Sequence, residues 1–326
     1  MTFIKKYITS NKNVIFKEFN KNGVKSILFG FNNILKPGVI LCGHIDVVDA
    51  KDPQFVSKIA SGKLFGRGAI DMKGSVAVLL KLIKDYQKDE KSLSVLLSSD
   101  EESGGENGVK YVLTKIKPEF AIIAEESGFD ITVKQKGKAL LKISTKGVSG
   151  HGSKPDDSNN AIIKLLNIYS DIGRIVKNKL TNDETFNLGV ISGGTANNVV
   201  PDSAFFELDF RFSTKFKYLE KIALLKKRIK NRAKLEVVTY SSPMDSGKNS
   251  NKYIQILKNI LTDNFNIKPK LKKTEYCGDG RYFSDLNIPV IEFGPIGRGY
   301  HTDNEYADIK SLETYYQVLK LFIQKI

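Results

Sequence analysis

Apolar runs alternate with amphipathic stretches along the first part of the chain. Continuous apolar runs predict buried strands at residues 39–42, 93–97 and 120–124, and apolar residues at helical spacing predict helices at 75–86 and 109–116. Strands that are apolar on both faces and separated by helices are typical of a mainly parallel sheet with helices on both faces. We therefore predict an α/β domain, with no more than a strand or two before the first buried strand.

The pattern changes between residues 137 and 242. Alternating and helical segments follow one another there in the order β-α-β-β-α-β, which is the order of a ferredoxin-like unit. The six predicted elements cover residues 139–146, 159–176, 186–191, 203–212, 219–232 and 235–240. A helix, an apolar strand and a closing helix follow between 253 and 326. We therefore predict a discontinuous α/β domain (1–136 and 243–326) interrupted by an inserted unit (137–242).

The chain is long enough for about two domains but carries a strong positive charge. It has 326 residues, is 41% hydrophobic and has a formal net charge of +15. Such a charge would suit nucleic acid, a membrane surface or an acidic protein. The lysines are scattered, however, as in proteins from genomes rich in A and T. No nucleic-acid-binding motif and no apolar run of bilayer length is present, so we expect neither nucleic acid nor a membrane as partner.

Two features bear on location. The chain has two cysteines, Cys42 and Cys277, which provide no disulfide framework. The N-terminal residues lack the long apolar segment and the small-residue cleavage site of a signal peptide. We therefore expect a cytoplasmic protein.

Side chains of metal-ligand type follow the predicted strands and their loops. They are His44 with Asp46, Asp71, Glu101 with Glu102, Glu125 with Glu126, and His301. The carboxyl ends of parallel strands meet at one edge of a sheet, where sites form. Singly, each acidic residue has an ordinary alternative, such as a helix cap or solvated surface charge. Gathered at one edge, the carboxylates would repel one another and need a cation, and two imidazoles with carboxylates suit zinc better than magnesium or calcium.

These motifs resemble the family of two-zinc amidohydrolases and exopeptidases that includes succinyl-diaminopimelate desuccinylase, acetylornithine deacetylase, aminoacylase and glutamate carboxypeptidase. The matching stretches, in the order of the family, are residues 43–48 (GHIDVV), 66–74 (GRGAIDMKG), 100–104 (DEESG), 124–125 (AE), 147–151 (GVSGH), 193–201 (GGTANNVVP), 279–281 (DGR), and His301 with Asn304 and Glu305. The resemblance implies that the inserted unit is a lid that also forms a homodimer.

The resemblance further implies two zinc ions per subunit, for which cobalt or manganese could substitute. Asp71 would bridge the two ions. His44 and Glu125 would complete one site, and Glu102 and His301 would complete the other. The family often has proline after the glutamate at position 125, but Glu126 follows here. That leaves open which of the two glutamates is the ligand, and we prefer Glu125 because it comes first after the strand.

The resemblance also implies the reaction. Glu101 would be the general base that takes a proton from a metal-bridging water, whose pKa the two cations lower. The resulting hydroxide would attack an amide carbonyl, and Glu101 would pass the proton to the leaving nitrogen. Asp46 would hold the second ring nitrogen of His44, since residues two apart on an extended chain face the same way. His151 would stabilise the oxyanion in the other subunit's site.

Substrate recognition is the least specific part of the resemblance. Asn198, Arg211 and Arg281 match family positions that contact substrate carboxylates, a task that suits the guanidinium group. Arg211 could equally pair with Glu207 or Asp209 on its own sheet.

We expect a deacylase acting on a small N-acyl amino acid in amino-acid biosynthesis. The alternatives are a di- or carboxypeptidase, or an enzyme that releases an amino acid from an acidic carrier protein. A metal-free scaffold is disfavoured because all the expected ligands are present. The family usually has a longer segment, including a helix, before the first histidine. Only 43 residues precede His44, so we expect the N-terminal edge of the α/β domain to be shorter than is usual in that family.

Overall fold

The computed structural model describes residues 1–86, 93–177 and 184–326. Tertiary contacts divide the chain into two compact units, which are described separately. Unit 1 consists of Met1–Lys134, Met244–Thr274 and Gly278–Ile326, and unit 2 of Gln135–Pro243 and Glu275–Cys277.

The described part of the chain contains both strands and helices. The strands are β1 (Ile15–Lys21), β2 (Val24–Gly30), β3 (Val39–His44), β4 (Lys58–Ala60), β5 (Lys63–Phe65), β6 (Leu93–Ser98), β7 (Phe120–Ile123), β8 (Ile131–Gln135), β9 (Gly137–Lys146), β10 (Gly150–His151), β11 (Glu184–Gly193), β12 (Val199–Val200), β13 (Ser203–Phe212), β14 (Lys234–Ser241), β15 (Met244–Asp245), β16 (Leu271–Thr274), β17 (Val290–Glu292), β18 (Gly297–Arg298) and β19 (Tyr306–Asp308). The α-helices are α1 (Thr2–Ile8), α2 (Gly74–Asp85), α3 (Val109–Leu113), α4 (Ala161–Lys177), α5 (Lys215–Ile229), α6 (Asn251–Phe265), α7 (Gly280–Asp285) and α8 (Ile309–Lys325).

Unit 1 is built on a nine-stranded sheet. Its order is β1-β2-β6-β3-β7-β17-β8-β15, with β16 beside β8. The four central strands β6, β3, β7 and β17 are parallel, whereas β1 and β2 pair in antiparallel fashion and β8 joins β17 in the same way. The prediction of a mixed α/β fold with a mainly parallel central sheet is confirmed.

The central strand β3 shows why this sheet is covered on both faces. All six of its residues are buried. Val39 and Leu41 pack into the apolar cluster that contains α1, α2, α6 and α8, while Ile40 and Cys42 pack into the cluster that contains α3 and α7. Successive side chains on a strand point to opposite faces, so a continuous apolar run needs both covers. Burying one such aliphatic side chain fully stabilises the fold by about 1.5–3 kcal/mol relative to leaving it exposed.

The register of the parallel strands places their carboxyl ends at one edge. His44, the last residue of β3, pairs with Ser98 at the end of β6, and Cys42 pairs with Ile123 at the end of β7. The acidic loop that begins at Asp100 and the glutamate pair that begins at Glu125 therefore start beside His44. Open α/β sheets form their sites at this edge.

Unit 2 has a four-stranded antiparallel sheet in the order β11-β13-β9-β14. Its elements follow the predicted β-α-β-β-α-β order, with the short pair β10 and β12 added. One face packs against α4 and α5 and buries residues such as Leu141 and Phe206. The other face carries partly exposed polar residues, including Lys142 and Glu207. One buried and one polar face is the usual arrangement for such a sheet.

Several elements were not predicted. The N-terminal segment contains helix α1, where we expected only strands. This helix has seven residues and buries only Ile4 and Ile8, too few for a clear helical period. A second small sheet in unit 1, of order β18-β19-β5-β4, was also missed because each strand has only two or three residues. Helix α5 begins at Lys215, earlier than predicted, where the Thr214 hydroxyl caps it by accepting from the Lys217 N–H at 3.2 Å.

Among the described residues, no helix combines the length and apolar character that crossing a membrane requires. Cys42 is buried in unit 1 and Cys277 is partly buried in unit 2, and in the described part of the chain neither forms a disulfide. The expected cytoplasmic location stays a prediction.

Candidate metal centre

His44 lies at the end of β3 with its side chain 1% exposed. Its Nδ1 is 3.1 Å from the backbone oxygen of Asp46, and a carbonyl can only accept, so Nδ1 carries the hydrogen. Its Nε2 faces two carboxylates, at 3.1 Å from Oδ1 of Asp71 and 3.4 Å from Oε1 of Glu125. A neutral ring with this tautomer presents a lone pair to that pair of oxygens, as a metal-binding histidine does.

Asp71 joins this group to a second one. It lies in the kinked turn Ala69–Lys73 that precedes α2. Its Oδ2 is 3.1 Å from Nε2 of His301, and the same nitrogen is 3.3 Å from Oε2 of Glu102. Asp71 therefore directs one carboxylate oxygen toward each of two histidines that lie near opposite ends of the chain.

The two groups fit a pair of metal ions. In the described chain, His44, Asp71 and Glu125 form one group and Asp71, Glu102 and His301 the other, and within each group the ligand atoms lie within 4.8 Å of one another. The nitrogen–oxygen separations of 3.1–3.4 Å match the edge of a tetrahedron, about 3.3–3.4 Å, around an ion bonded at about 2.0–2.1 Å. Three protein ligands per ion leave a position for water or substrate.

The charges at the site point the same way. Burial, together with the charges of Asp279 and Glu125, raises the pKa of Glu101 to about 9. Burial and the neighbouring carboxylates of Glu125 and Asp71 raise the pKa of Glu126 to about 9 as well. Burial opposes charging of His44, but the carboxylates around the ring outweigh it and raise its pKa well above the usual value. This excess of negative charge favours a bound cation.

Asp46 contacts Nδ1 of His44, as the resemblance implied, and it does so more closely through its backbone oxygen than through its carboxylate. Its backbone oxygen accepts the hydrogen bond from Nδ1 of His44, while its carboxylate Oδ1 is 3.5 Å away from that nitrogen. Its Oδ2 accepts from the backbone N–H of Glu102 at 3.0 Å. Asp46 thus touches one ligand of each group.

The structure also distinguishes between the two members of each glutamate pair. Glu125 and Glu102 belong to the ligand groups, and among the described residues neither Glu126 nor Glu101 does. The Glu101 side chain is partly buried, and its carboxylate interacts electrostatically with those of Asp279, Glu125 and Glu102. It therefore lies beside the site without being one of the grouped ligands.

Three of the predicted residues lie in unit 2. His151 is exposed, and its Nδ1 is 2.8 Å from the Ser153 hydroxyl. The short pair β10–β12 places it next to Asn198, whose backbone oxygen accepts from the Gly152 N–H at 2.8 Å. Arg211 donates two hydrogen bonds to the Asp209 carboxylate, at 2.7 and 3.0 Å, which is one of the pairings we considered. The catalytic and substrate-binding roles of these residues stay predictions.

Arg281 is buried in unit 1. Its guanidinium donates to the backbone oxygens of Gly278 at 2.7 Å and Gly104 at 2.6 Å, and to the Tyr282 hydroxyl at 2.9 Å. The bond to Gly104 ties α7 to the acidic loop that carries Glu101. Contact between Arg281 and a substrate carboxylate stays a prediction.

Two buried acids, Asp100 and Asp279, have no role predicted from the sequence. Asp100 accepts from the backbone N–H groups of Asn107 and Gly108, each at 2.9 Å, and so shapes the acidic loop. Asp279 is 2% exposed, and burial raises its pKa to about 7. Both residues stand in matching motifs, but a motif match carries no signal of burial.

The sequence matches Peptidase family M20/M25/M40 over residues 40–325. The chain belongs to this family. It is 32% identical to succinyl-diaminopimelate desuccinylase of Rickettsia bellii (strain RML369-C) over 324 residues, covering 89% of this chain and 82% of the relative. It is also 32% identical to the enzyme of the same name from Rickettsia felis, covering 92% and 85%.

Solved structures of two peptidases share the fold. The aminopeptidase PepT of Bacillus cereus aligns with a TM-score of 0.80 at 18% identity, over 99% of this chain and 91% of that one. The M20 metallo-carboxypeptidase Sso-CP2 of Sulfolobus solfataricus aligns with a TM-score of 0.74 at 18% identity, over 99% and 92%. As a member of the M20 family with these ligand groups, the chain is a metal-dependent amide hydrolase.

The two ligand groups predict different metal stoichiometries. We expect wild-type protein to bind two equivalents of Zn²⁺ and His301→Ala to bind one, because His301 serves one group only. Asp71→Asn should weaken the binding of both ions, because the two carboxylate oxygens of Asp71 serve both groups. Titration of metal-depleted protein against a chromophoric chelator measures these values.

His151→Ala is the matched control, because it removes the third histidine of the chain without touching either group. Two equivalents bound by His301→Ala would contradict the assignment of that residue.

Proposed function

We propose that this chain is a two-zinc deacylase of the desuccinylase type, which cleaves the amide bond of an N-acyl amino acid in amino-acid biosynthesis. The observation that carries the proposal is the carboxylate of Asp71, which faces two imidazoles with one oxygen each. The curated relatives named succinyl-diaminopimelate desuccinylase, at 32% identity over most of both chains, support the substrate class. Cobalt or manganese could replace zinc at ligands of this kind.

The ligands and their neighbours have distinct tasks. Two bound divalent cations would lower the pKa of a water at the site and polarise the substrate carbonyl. His44 is locked by the hydrogen bond from Nδ1 to Asp46, so its Nε2 keeps its direction. Glu102 is held through its backbone N–H by the Asp46 carboxylate. Asp46 is therefore a positioning residue for one ligand of each group.

Glu101 has the properties of the general base. It lies among the ligands without joining either group. Without cations, burial and the nearby carboxylates keep its proton on, with a pKa of about 9. Positive charge at the two groups favours the ionised form, so Glu101 can accept a proton from the attacking water. It then delivers the proton to the leaving nitrogen.

A substrate panel tests the proposed activity. Zinc-loaded protein should hydrolyse N-succinyl-diaminopimelate, or another N-acyl amino acid such as N-acetylornithine or N-acetyl-lysine, faster than simple dipeptides. Release of the free amino group is measured with an amine-reactive dye. Faster cleavage of dipeptides would make the chain an exopeptidase, and no cleavage of any panel member by protein with two bound zinc ions would contradict the deacylase assignment.

Glu101→Gln separates proton transfer from metal binding. We expect kcat to fall about 10²–10⁴-fold, the usual contribution of a positioned acid–base group, with two metal ions still bound. The matched control is Glu106→Gln, an exposed glutamate of the same loop that pairs with Lys110, which should keep full activity. Full turnover by Glu101→Gln would remove this residue from the mechanism.

We further propose that unit 1 is the catalytic domain and that unit 2 is a lid through which two chains form a homodimer. The edge strand β11 supports the second part: from Asn187 to Gly193 all of its residues are exposed, including Val190 (45%) and Ile191 (55%). The outer face of α4 adds exposed Ile163 (54%). An exposed apolar edge strand is a ready template for pairing with a second copy.

Charged substitutions at the two edges of the unit 2 sheet test the dimer. Ile191→Lys on β11 should weaken self-association at least tenfold, because a charge would be buried between the copies. Val238→Lys on β14, the opposite edge strand, has a similar starting exposure of 45% and should leave the dimer intact. Light scattering after gel filtration measures the mass. A monomeric wild type, or dissociation by Val238→Lys alone, would contradict the proposed interface.

A further inference from the structure

Glu305 is an acidic residue next to the metal centre that belongs to neither ligand group. It is 2% exposed, and both of its carboxylate oxygens are engaged. Oε1 accepts from the backbone N–H groups of Ile70 at 3.1 Å and Asp71 at 3.2 Å. Oε2 accepts from the backbone N–H of Gly68 at 3.0 Å and from Nη1 of Arg67 at 2.8 Å. One side chain thus holds the whole turn that presents Asp71.

The backbone around Glu305 continues this connection. Tyr306 of β19 pairs with Phe65 of β5, and the N–H of Gly66 donates to the backbone oxygen of Glu305 at 3.2 Å. The turn that carries Asp71 follows β5, and the loop that carries His301 precedes β19. Because β5 and β19 are antiparallel, these two segments lie side by side at the same end of the pair. The Glu305 side chain spans from the His301 loop to the Asp71 turn at this end of the strand pair.

The chemistry of the contact requires a carboxylate. All four partners of Glu305 are hydrogen donors, and an ionised carboxylate is acceptor-only with two oxygens. Arg67, whose side chain is 3% exposed, supplies the compensating charge. An amide of the same shape would, in either orientation, turn its NH₂ group toward two of these donors, so that hydrogen donors would face each other.

We propose that Glu305, charge-paired with Arg67, is a positioning residue of the metal centre, which fixes Asp71 relative to His301. The 3.1 Å separation between Oδ2 of Asp71 and Nε2 of His301 then depends on the Glu305 carboxylate. This inference rests on the proposed function, because it assigns Glu305 to the site through the ligands it holds. It explains why a buried ion pair is placed here, where it carries no metal itself.

Metal binding by Glu305→Gln tests the inference. Metal-depleted protein is titrated with Co²⁺ and followed by visible absorption, and Zn²⁺ affinities are measured by chelator competition. We expect the ion at Asp71, Glu102 and His301 to bind about 10–100-fold more weakly, the usual effect of losing a group that orients a ligand. The ion at His44, Asp71 and Glu125 shares Asp71 and should also bind more weakly, and the Co²⁺ spectrum should change. Circular dichroism checks the fold.

Two matched controls separate positioning from general effects. Lys51→Ala breaks the exposed ion pair with Asp303, at 2.6 Å in the same loop as His301, and should leave both affinities unchanged. Glu184→Gln removes a buried carboxylate in unit 2 that pairs with Lys221 at 3.4 Å. This variant tests the loss of a buried carboxylate remote from the metal ligands, and it should not alter metal binding.

The outcomes are distinguishable. Wild-type affinities in folded Glu305→Gln, or an equal loss in Lys51→Ala, would overturn the role of Glu305. If Glu305→Gln does not fold, Glu305→Asp is measured instead. It keeps the charge for Arg67 but shortens the side chain by one methylene, and it carries the same expectation and the same reversal. A wild-type protein that binds no metal would instead overturn the proposed function.

Discussion

The shared carboxylate of Asp71 is the constraint on which the site depends. Its two oxygens lie 3.1 Å from the ring nitrogens of His44 and His301, so a small shift of this one side chain would disturb both ligand groups. The residues around Asp71 are held in fixed positions. His44 ends a fully buried strand, the turn before α2 carries Asp71, and backbone N–H groups in that turn are held by Glu305. Most of the geometry is thus set by backbone and by one buried ion pair.

The same arrangement has an electrostatic cost. Burial and mutual repulsion raise the pKa of Glu101 and that of Glu126 to about 9, and burial raises that of Asp279 to about 7. A fold selected only for stability would not gather these groups beside one strand end. Perturbed pKa values of this kind cluster at functional sites. A pair of bound cations would offset the repulsion, which links metal binding to the stability of the catalytic edge.

The two units differ in how their sheets are covered by helices. The sheet of unit 1 is covered on both faces, so its strand ends are held in a rigid core and can position ligands closely. Among the described residues, the sheet of unit 2 packs against helices on one face and leaves an apolar edge strand exposed. A rigid core suits catalysis, while an open edge suits association with a second chain. Arg211 and its partner Asp209 lie on the uncovered face of that second sheet.

The sequence alone determined the α/β class with a mainly parallel central sheet, and it proposed the inserted segment and the candidate ligands. Long apolar runs and the spacing of His44, Asp71 and His301 within motifs are local signals that survive without a structure. Tertiary structure decided the rest. It placed Glu125 in a ligand group and Glu126 outside, and it engaged Arg281 with backbone carbonyls. It also revealed that Glu305 holds the Asp71 turn. The physical reason is that hydrogen-bond partners and burial depend on residues distant in sequence, which no local pattern encodes.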